Sequence, residues 1–428
     1  MSTLSRLACA LAWMAACGPA APGESSGSDT EVTTAEVTTS EVTTSVVTTS
    51  GDAPTTGGGP LDCDAVCDAP WTFEGHLSIT PELDPAQFEC MREVTGNLHL
   101  TGFTGPLPTQ LRALQRVGGF MVVFANDGLA DLAGLECLRR SEALFLEENP
   151  ALVDVAALAG MEATTSLAVH LCDALADLSP LANLTGVRQL SFRSDPVLAT
   201  LPALPVGTVL DRLTVEHCPA LKDLDALAGV RGTPLVIQLL RSSGLVSIAG
   251  LGGLWDAGDL SSAMLILHDL PQLGSLAGLE ALPAAGTLEL SALPQLDSLA
   301  PLAGLRAVEE LQLHDLPALK SLAGMTGLER LGTLQIGRCE PDSGLPIVDL
   351  AGLDAVTELH AIHLDDNPAL QSLAGLDALV TGPDEVIAVD NPVLDPAAFA
   401  AFVAAHAVPT SCHSPPGACS CDWADAVP

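Results

Sequence analysis

The sequence predicts a β-solenoid: a right-handed coil of about twelve rungs of ~23 residues, carrying one parallel β-sheet and few or no long helices. Three observations predict it. An apolar strand position recurs at a fixed interval of 23 residues. Further apolar residues follow it at offsets of 6, 9, 12 and 15. Pro and Gly keep to their own offsets in the same frame.

The interval is plain in ALFLEENPALVDVAALAGM, TLELSALPQLDSLAPLAGL and ELQLHDLPALKSLAGMTGL, which share xLxLxxxPxLxxLxxLxxL with Leu interchangeable with other apolar residues. With the second Leu of the strand as anchor, anchors fall at Leu100, Val123, Leu146, Val169, Phe192 and Val215, and Leu239 follows at 24. Leu267, Leu290, Leu313 and Ile336 resume the step of 23 after an insertion near Asp256. Leu364 follows a second insertion near Glu340, and a degenerate rung around Val389 is expected to cap the stack.

Alternation around each anchor is a period of two, which makes that part a strand. The later spacing of three, as in Leu296, Leu299, Leu302 and Leu305 after Leu290, fits a tight three-residue winding better than an α-helix. Pro recurs four residues after the anchor (Pro150, Pro196, Pro219, Pro271, Pro294, Pro317, Pro368), where a missing N–H breaks no ladder bond. Gly recurs eleven after it (Gly134, Gly250, Gly278, Gly324, Gly375), at an expected turn. Each rung buries its apolar side only against the next, so the stack, a rod on the order of 55 Å long, should fold as one unit. Hydrophobic residues are 48% and aromatics 3% with no Tyr, so the core is aliphatic.

The pattern resembles the leucine-rich repeat superfamily, and more closely the receptor L-domain. CMREVTGNLHL, from Cys90 to Leu100, resembles the opening Cys and first strand of such domains, and LHLDDNPALQSLAGL resembles their typical rung. The resemblance covers roughly residues 61–407 and implies a fold, not a ligand. It implies that Cys90 pairs with Cys63 or Cys67. It also implies that Asn126, Asn149 and Asn367, with Cys172, Cys218 and Cys339, form the Asn/Cys column that hydrogen-bonds neighbouring turns. Adjacent members of the Cys set lie two or more rungs apart, about 9 Å or further, so they read as buried free thiols. Cys137 has no obvious partner.

The chain divides into a signal segment 1–16, a linker 17–60, a Cys-containing cap 61–95, the solenoid 96–407 and a Cys-containing tail 408–428. Arg6, the apolar run Leu7 to Ala12 and MAAC before Gly18 resemble the signal and lipobox of bacterial lipoproteins. That resemblance implies acylation of Cys17 and an outer-membrane location, the alternative being an ordinary secretory signal. The linker, with its EVTTA EVTTS EVTTS VVTTS repeat, holds almost nothing that can pack and reads as a disordered stalk, bare or with O-linked sugars on Thr. In an oxidising compartment Cys63, Cys67 and Cys90 at one end and Cys412, Cys419 and Cys421 at the other read as disulfide staples. The spacing in CHSPPGACSC matches no standard zinc motif, and no cofactor is expected.

Acidic residues number 53 against 16 basic, a formal net charge of -37, which excludes nucleic acid as a partner and turns away anionic lipid. The charge either favours basic partners or only keeps the protein soluble. There is no HExxH and no phosphate-cradling Gly loop. Alternation points Glu147, His170, Arg193, Glu216, His268, His314 and Asp365 away from the core, with Asp269, Asp315 and Asp366 beside them. The His and Asp residues are either a metal or pH-sensitive patch or, more simply, a polar solvent face. The expected function is a non-catalytic envelope lipoprotein that binds a protein or glycan through these residues. A structural spacer is the alternative, and a carbohydrate-active enzyme a weaker one.

Overall fold

The computed structural model describes residues 62–413, except 233–235, 256–259 and 339–342. The signal segment, Cys17, the linker to residue 60, Cys339, Cys419 and Cys421 lie outside the described residues, and Cys412 is described only by its backbone, in the last strand.

The chain is a leucine-rich parallel β-solenoid. Fifteen strands form one sheet in strict chain order, from Leu77–Ile79 at one end to Thr410–His413 at the other. The anchors stack in register: Leu100 on Val123, then Leu146, Val169, Phe192, Val215, Leu239, Leu267, Leu290, Leu313, Ile336 and Leu364. Both insertions are therefore absorbed outside the sheet. At the next rung Leu364 pairs with Ala388, not Val389. Val386 and Ala388 are the fully buried pair there, so the inward alternation puts the anchor at Ala388, 24 residues after Leu364 and one before Val389. The rungs at the ends of the sheet, beyond Leu100 and Leu364, were not all visible as anchors because their strands are short and irregular.

The spacing of three has a direct cause. In the Leu146 rung, Leu152 N–H donates to Asn149 C=O (3.1 Å), Leu158 to Val155 (2.9 Å) and Met161 to Leu158 (2.9 Å). The Leu290 rung repeats this from Leu296 to Leu293, Leu302 to Leu299 and Leu305 to Leu302. Each is an i→i+3 bond, so every third side chain points inward and the return path is a chain of 3₁₀ turns, including Ala156–Leu158, Ser179–Leu181 and Ala300–Gly304. The single α-helix among the described residues, Pro396–Ala405, packs Phe399 at the C-terminal end, with Asp395 capping Ala397 N–H and Pro396 in the first turn.

A column eight residues after the anchor (thirteen at Asp349, beyond the second insertion) tightens these turns and escapes a reading based on apolar spacing. Asp131, Asp154, Asp177, Asp223 and Asp349, and Ser247, Ser275, Ser298 and Ser321 in other rungs, each accept a backbone N–H two residues on, at 2.7–3.3 Å. Part of the acidic excess is thus turn chemistry.

In the Gly column Gly134, Gly278, Gly324 and Gly375 are left-handed, whereas Gly250 lies in the 3₁₀ segment Ala249–Trp255. Gly324 has φ +116°, and a Cβ there would lie 2.5 Å from Leu299 C and 2.6 Å from Ala300 N. Where the same offset holds Ala226 or Pro301, the rung winds as a 3₁₀ turn instead. Gly324→Ala is expected to cost about 3 kcal/mol, from the strained φ and the overlap with the preceding rung, read as a lower urea midpoint.

Cys67 pairs with Cys90, one of the two pairings the resemblance implies. Cys63 pairs with Cys137, which sequence reading left without a partner. The reason is tertiary: the segment around Cys63 lies across several rungs, where Gln115 Nε2 donates to Cys63 C=O (3.1 Å) and Arg92 pairs with Asp64. Cys172 and Cys218 are buried free thiols, pushed up to about 12 chiefly by burial, and hence inert as nucleophiles. Replacing Cys63 and Cys137 together by Ser opens a 74-residue closure and is expected to cost about 2–4 kcal/mol, with faster proteolysis of the N-terminal segment than in wild type.

Candidate functional sheet face

Strand alternation sends two rows of side chains outward. One lies a residue after each anchor: Glu147, His170, Arg193, Glu216, Leu240, His268, Ser291 and His314, each in register with the next. The other lies a residue before, and includes Phe145, Ser191, Ile266, Glu289 and His363. Immediately after the first row the chain turns. Ala125, Glu148, Leu171, Ser194, His217, Arg241, Asp269, Ala292, Asp315 and Asp366 all have φ between 49° and 55°. Their N–H groups keep pairing across rungs, as in Glu148 to His170 C=O (2.9 Å) and Asp269 to Ser291 C=O (3.0 Å). This bend ends the strand and swings the next residue into the core.

That next residue forms the expected Asn/Cys column. Asn149 Nδ2 donates to Val123 C=O (2.9 Å) and Glu147 C=O (3.0 Å), while its Oδ1 accepts from Asn126 Nδ2 (2.8 Å). Cys172 and Cys218 sit in the same column, and so do Asp195 and Ser242, which sequence reading missed because neither is Asn or Cys. Asp195 is fully buried, accepting from Cys172 N–H (2.9 Å) and Arg193 N–H (3.1 Å). Burial pushes its carboxyl up to about 8.

The structure brings most of the expected face residues into contacts along two stretches of the face. In the first, Glu147 Oε1 lies 3.4 Å from His170 Nδ1, and His170 Nε2 is 2.8 Å from Ser191 Oγ. Arg193 Nε and Arg241 Nη1 each lie 3.4 Å from a different oxygen of Glu216. The second centres on Glu289, which no single-position signal marked. Ser291 Oγ donates to it at 2.8 Å, His314 Nε2 and Arg338 Nη2 lie 3.6 and 3.5 Å from Oε1, and His268 Nδ1 joins through Ser291 Oγ (2.8 Å). His314 foremost, then Ser291 and Arg338, hold the Glu289 carboxyl below its ordinary value against the effect of burial.

One expected position differs. His314 points to the outward side but is fully buried, whereas alternation predicts a solvent-facing ring. Arg338 reaches back past it to Glu289, and Ser343 C=O, after the second insertion, accepts Asp315 N–H at 2.6 Å. The chain around that insertion shelters the ring, which no local rule could show. Asp315 Oδ2 is 3.1 Å from His314 Nδ1, and Asp366 Oδ2 accepts Ser343 N–H at 3.1 Å. The Asp366 carboxylate and the Asp315 backbone N–H therefore hold the segment in place. Asp365, near His363 and Asp390, is pushed up to about 6, mainly by burial. Asp269 is exposed on the rim.

Among the described residues no group of three or more His, Cys, Asp or Glu is placed to hold a metal ion, and no helix is long and apolar enough to cross a membrane. No protein-family model and no curated protein matches the chain. Among solved structures the chain is similar to a crystal structure of an internalin from Listeria monocytogenes, at 19% identity and a TM-score of 0.42, with 75% of this chain and 87% of that chain covered.

Proposed function

We propose that this protein is a non-catalytic binding module of the cell envelope, which engages a protein or glycan with the outward face of its parallel sheet. The observation that carries the reading is the division of labour along each strand. Inward positions are wholly given to packing, while outward ones hold partly exposed charged and aromatic side chains already oriented by cross-rung contacts. Side chains held in place before contact lose little freedom on binding. Glu147, His170, Arg193, Glu216, His268, Asp269, Asp315, Asp365 and Asp366 would touch the ligand, with His314 supporting Glu289 from beneath. Lipidation at Cys17 would tether the module to the outer membrane, with the linker as its stalk.

A pull-down from the producing cell's envelope and culture fluid tests the reading. The full chain is compared with a variant carrying Glu147→Lys, Glu216→Lys, Asp269→Lys, Asp315→Lys and Asp365→Lys, its fold checked by circular dichroism. A partner retained by the wild type and lost by the folded variant is the expected result. Identical recovery on both baits would leave the spacer role. In parallel, Cys17→Ala is expected to move the protein from the membrane fraction to the soluble one.

A further inference from the structure

The outward face is a mosaic with an order along the stack. On the rungs of Val123 and Leu146, half-buried Phe120 and Phe145 stand on the outward side with their rings edge to face at 5.7 Å, beside Phe124 and Val122, which are buried. The chain has only 9 Phe and no Tyr, and its interior is filled by Leu, so packing does not require these rings here. A second, largely apolar zone spans the strands Val236–Leu240 and Met264–His268: Val236, Leu240, Met264 and Ile266 point outward around Gln238, and Met264 is 36% exposed. Four strand steps separate Phe145 from Val236, about 20 Å at the usual strand spacing.

Charge follows the same order. Between the two zones Glu147 and Glu216 face His170, Arg193 and Arg241 in paired contacts. Beyond the second zone the balance is lost: Glu289, Glu310, Asp315, Asp365 and Glu385 lie on the face or its rim against Arg338.

We infer that the face takes a cationic protein partner, which seats large apolar side chains on the two apolar zones and lays Lys and Arg over the acidic third; this rests on the binding reading above. Aromatic and Met side chains enclosed by a polar rim are the composition of a protein interface core. The acidic third steers a basic surface onto it. A glycan fits less well, because the polar groups between the zones are already bonded to each other and Val, Leu, Met and Ile offer a sugar no hydrogen bond.

The probe is a random dodecapeptide phage library, selected on the immobilised full chain at physiological ionic strength beside a panel of neutral and charged oligosaccharides. Three folded variants are compared: Phe145→Ser with Met264→Ser; Glu310→Gln with Asp365→Asn and Glu385→Gln; and, as a charge-matched control on the turn side, Asp131→Asn with Asp154→Asn and Asp177→Asn. Recovered peptides are expected to combine Lys or Arg with large apolar residues. The apolar variant should weaken them about tenfold or more. The face-neutralised variant should weaken them severalfold with loss of salt sensitivity, and the turn-side control should bind like wild type. Peptides that bind all variants alike, or that lack either basic or apolar character, overturn the inference. Oligosaccharides retained by wild type and lost by the apolar variant, with no peptide enriched, overturn it while leaving the binding reading standing. No face-dependent binding of either probe overturns both.

Discussion

Asp195→Asn is expected to be more stable than the wild type at pH 8, with the gap closing as the pH falls toward 4. Asp195 occupies a column whose other members include Asn126, Asn149, Asn367 and Asn391, residues that donate through their amides to a carbonyl of the preceding rung. A carboxylate cannot donate, and this one is fully buried, so burial raises its folded-state value from 3.8 to about 8. The unfolded chain releases that proton near 3.8 while the folded chain keeps it to about 8. Between those values the native state binds more protons, so the stability contributed by the protonated form is complete below the unfolded value and is lost as pH rises through the window. The loss approaches about 5 kcal/mol at the alkaline end. With a formal net charge of -37, general repulsion also grows over the same range, so the wild-type curve alone is not diagnostic. The difference between the wild-type and Asp195→Asn urea midpoints against pH isolates the one site. A difference flat between pH 4 and 8 would show that Asp195 ionises normally.

The second large effect is expected at Asn149. Its amide serves two carbonyls and its oxygen holds the amide of Asn126; the bonds to Val123 C=O and to Asn126 are buried and that to Glu147 C=O is half-buried. Asn149→Ala removes these bonds and strands their partners in an aliphatic core. A loss of about 3 kcal/mol is expected from the unmet groups. Cys172→Ala, in the next rung, is expected to cost less than half as much, because a thiol donates weakly and its contacts to Leu146 and His170 C=O are 3.5 and 3.7 Å. Equal losses at the two positions would mean that the column acts through volume rather than hydrogen bonding.

The repeat was legible because each rung obeys the same local geometry. Alternation around Leu290 and spacing of three after it are properties of a strand and of 3₁₀ turns, and both survive in one dimension. The Asp and Ser column that caps the turns was equally regular but invisible to a search for apolar periods. Asp195 was missed for a different reason: its role is set by the column it occupies, and Asp and Asn differ there only by a proton.

Sequence by itself determined the solenoid, its anchors from Leu100 to Leu364, the outward rows and the buried thiols Cys172 and Cys218, because a rung contacts only its neighbours and local periodicity is nearly the whole of its environment. Tertiary structure alone decided what breaks that neighbour rule. Cys63 meets Cys137 because the N-terminal segment lies across the rungs, and the last anchor falls on Ala388, 24 residues after Leu364, because Val386 and Ala388 are the side chains buried there. His314 loses its solvent because Arg338 and Ser343 fold back over it, and Glu289 becomes the centre of a network because Ser291, His314 and Arg338, from successive rungs, reach it together. The disulfide and the fold-back at the second insertion join residues whose separation in the chain follows no period, and the Glu289 network depends on side-chain reach that a period does not encode.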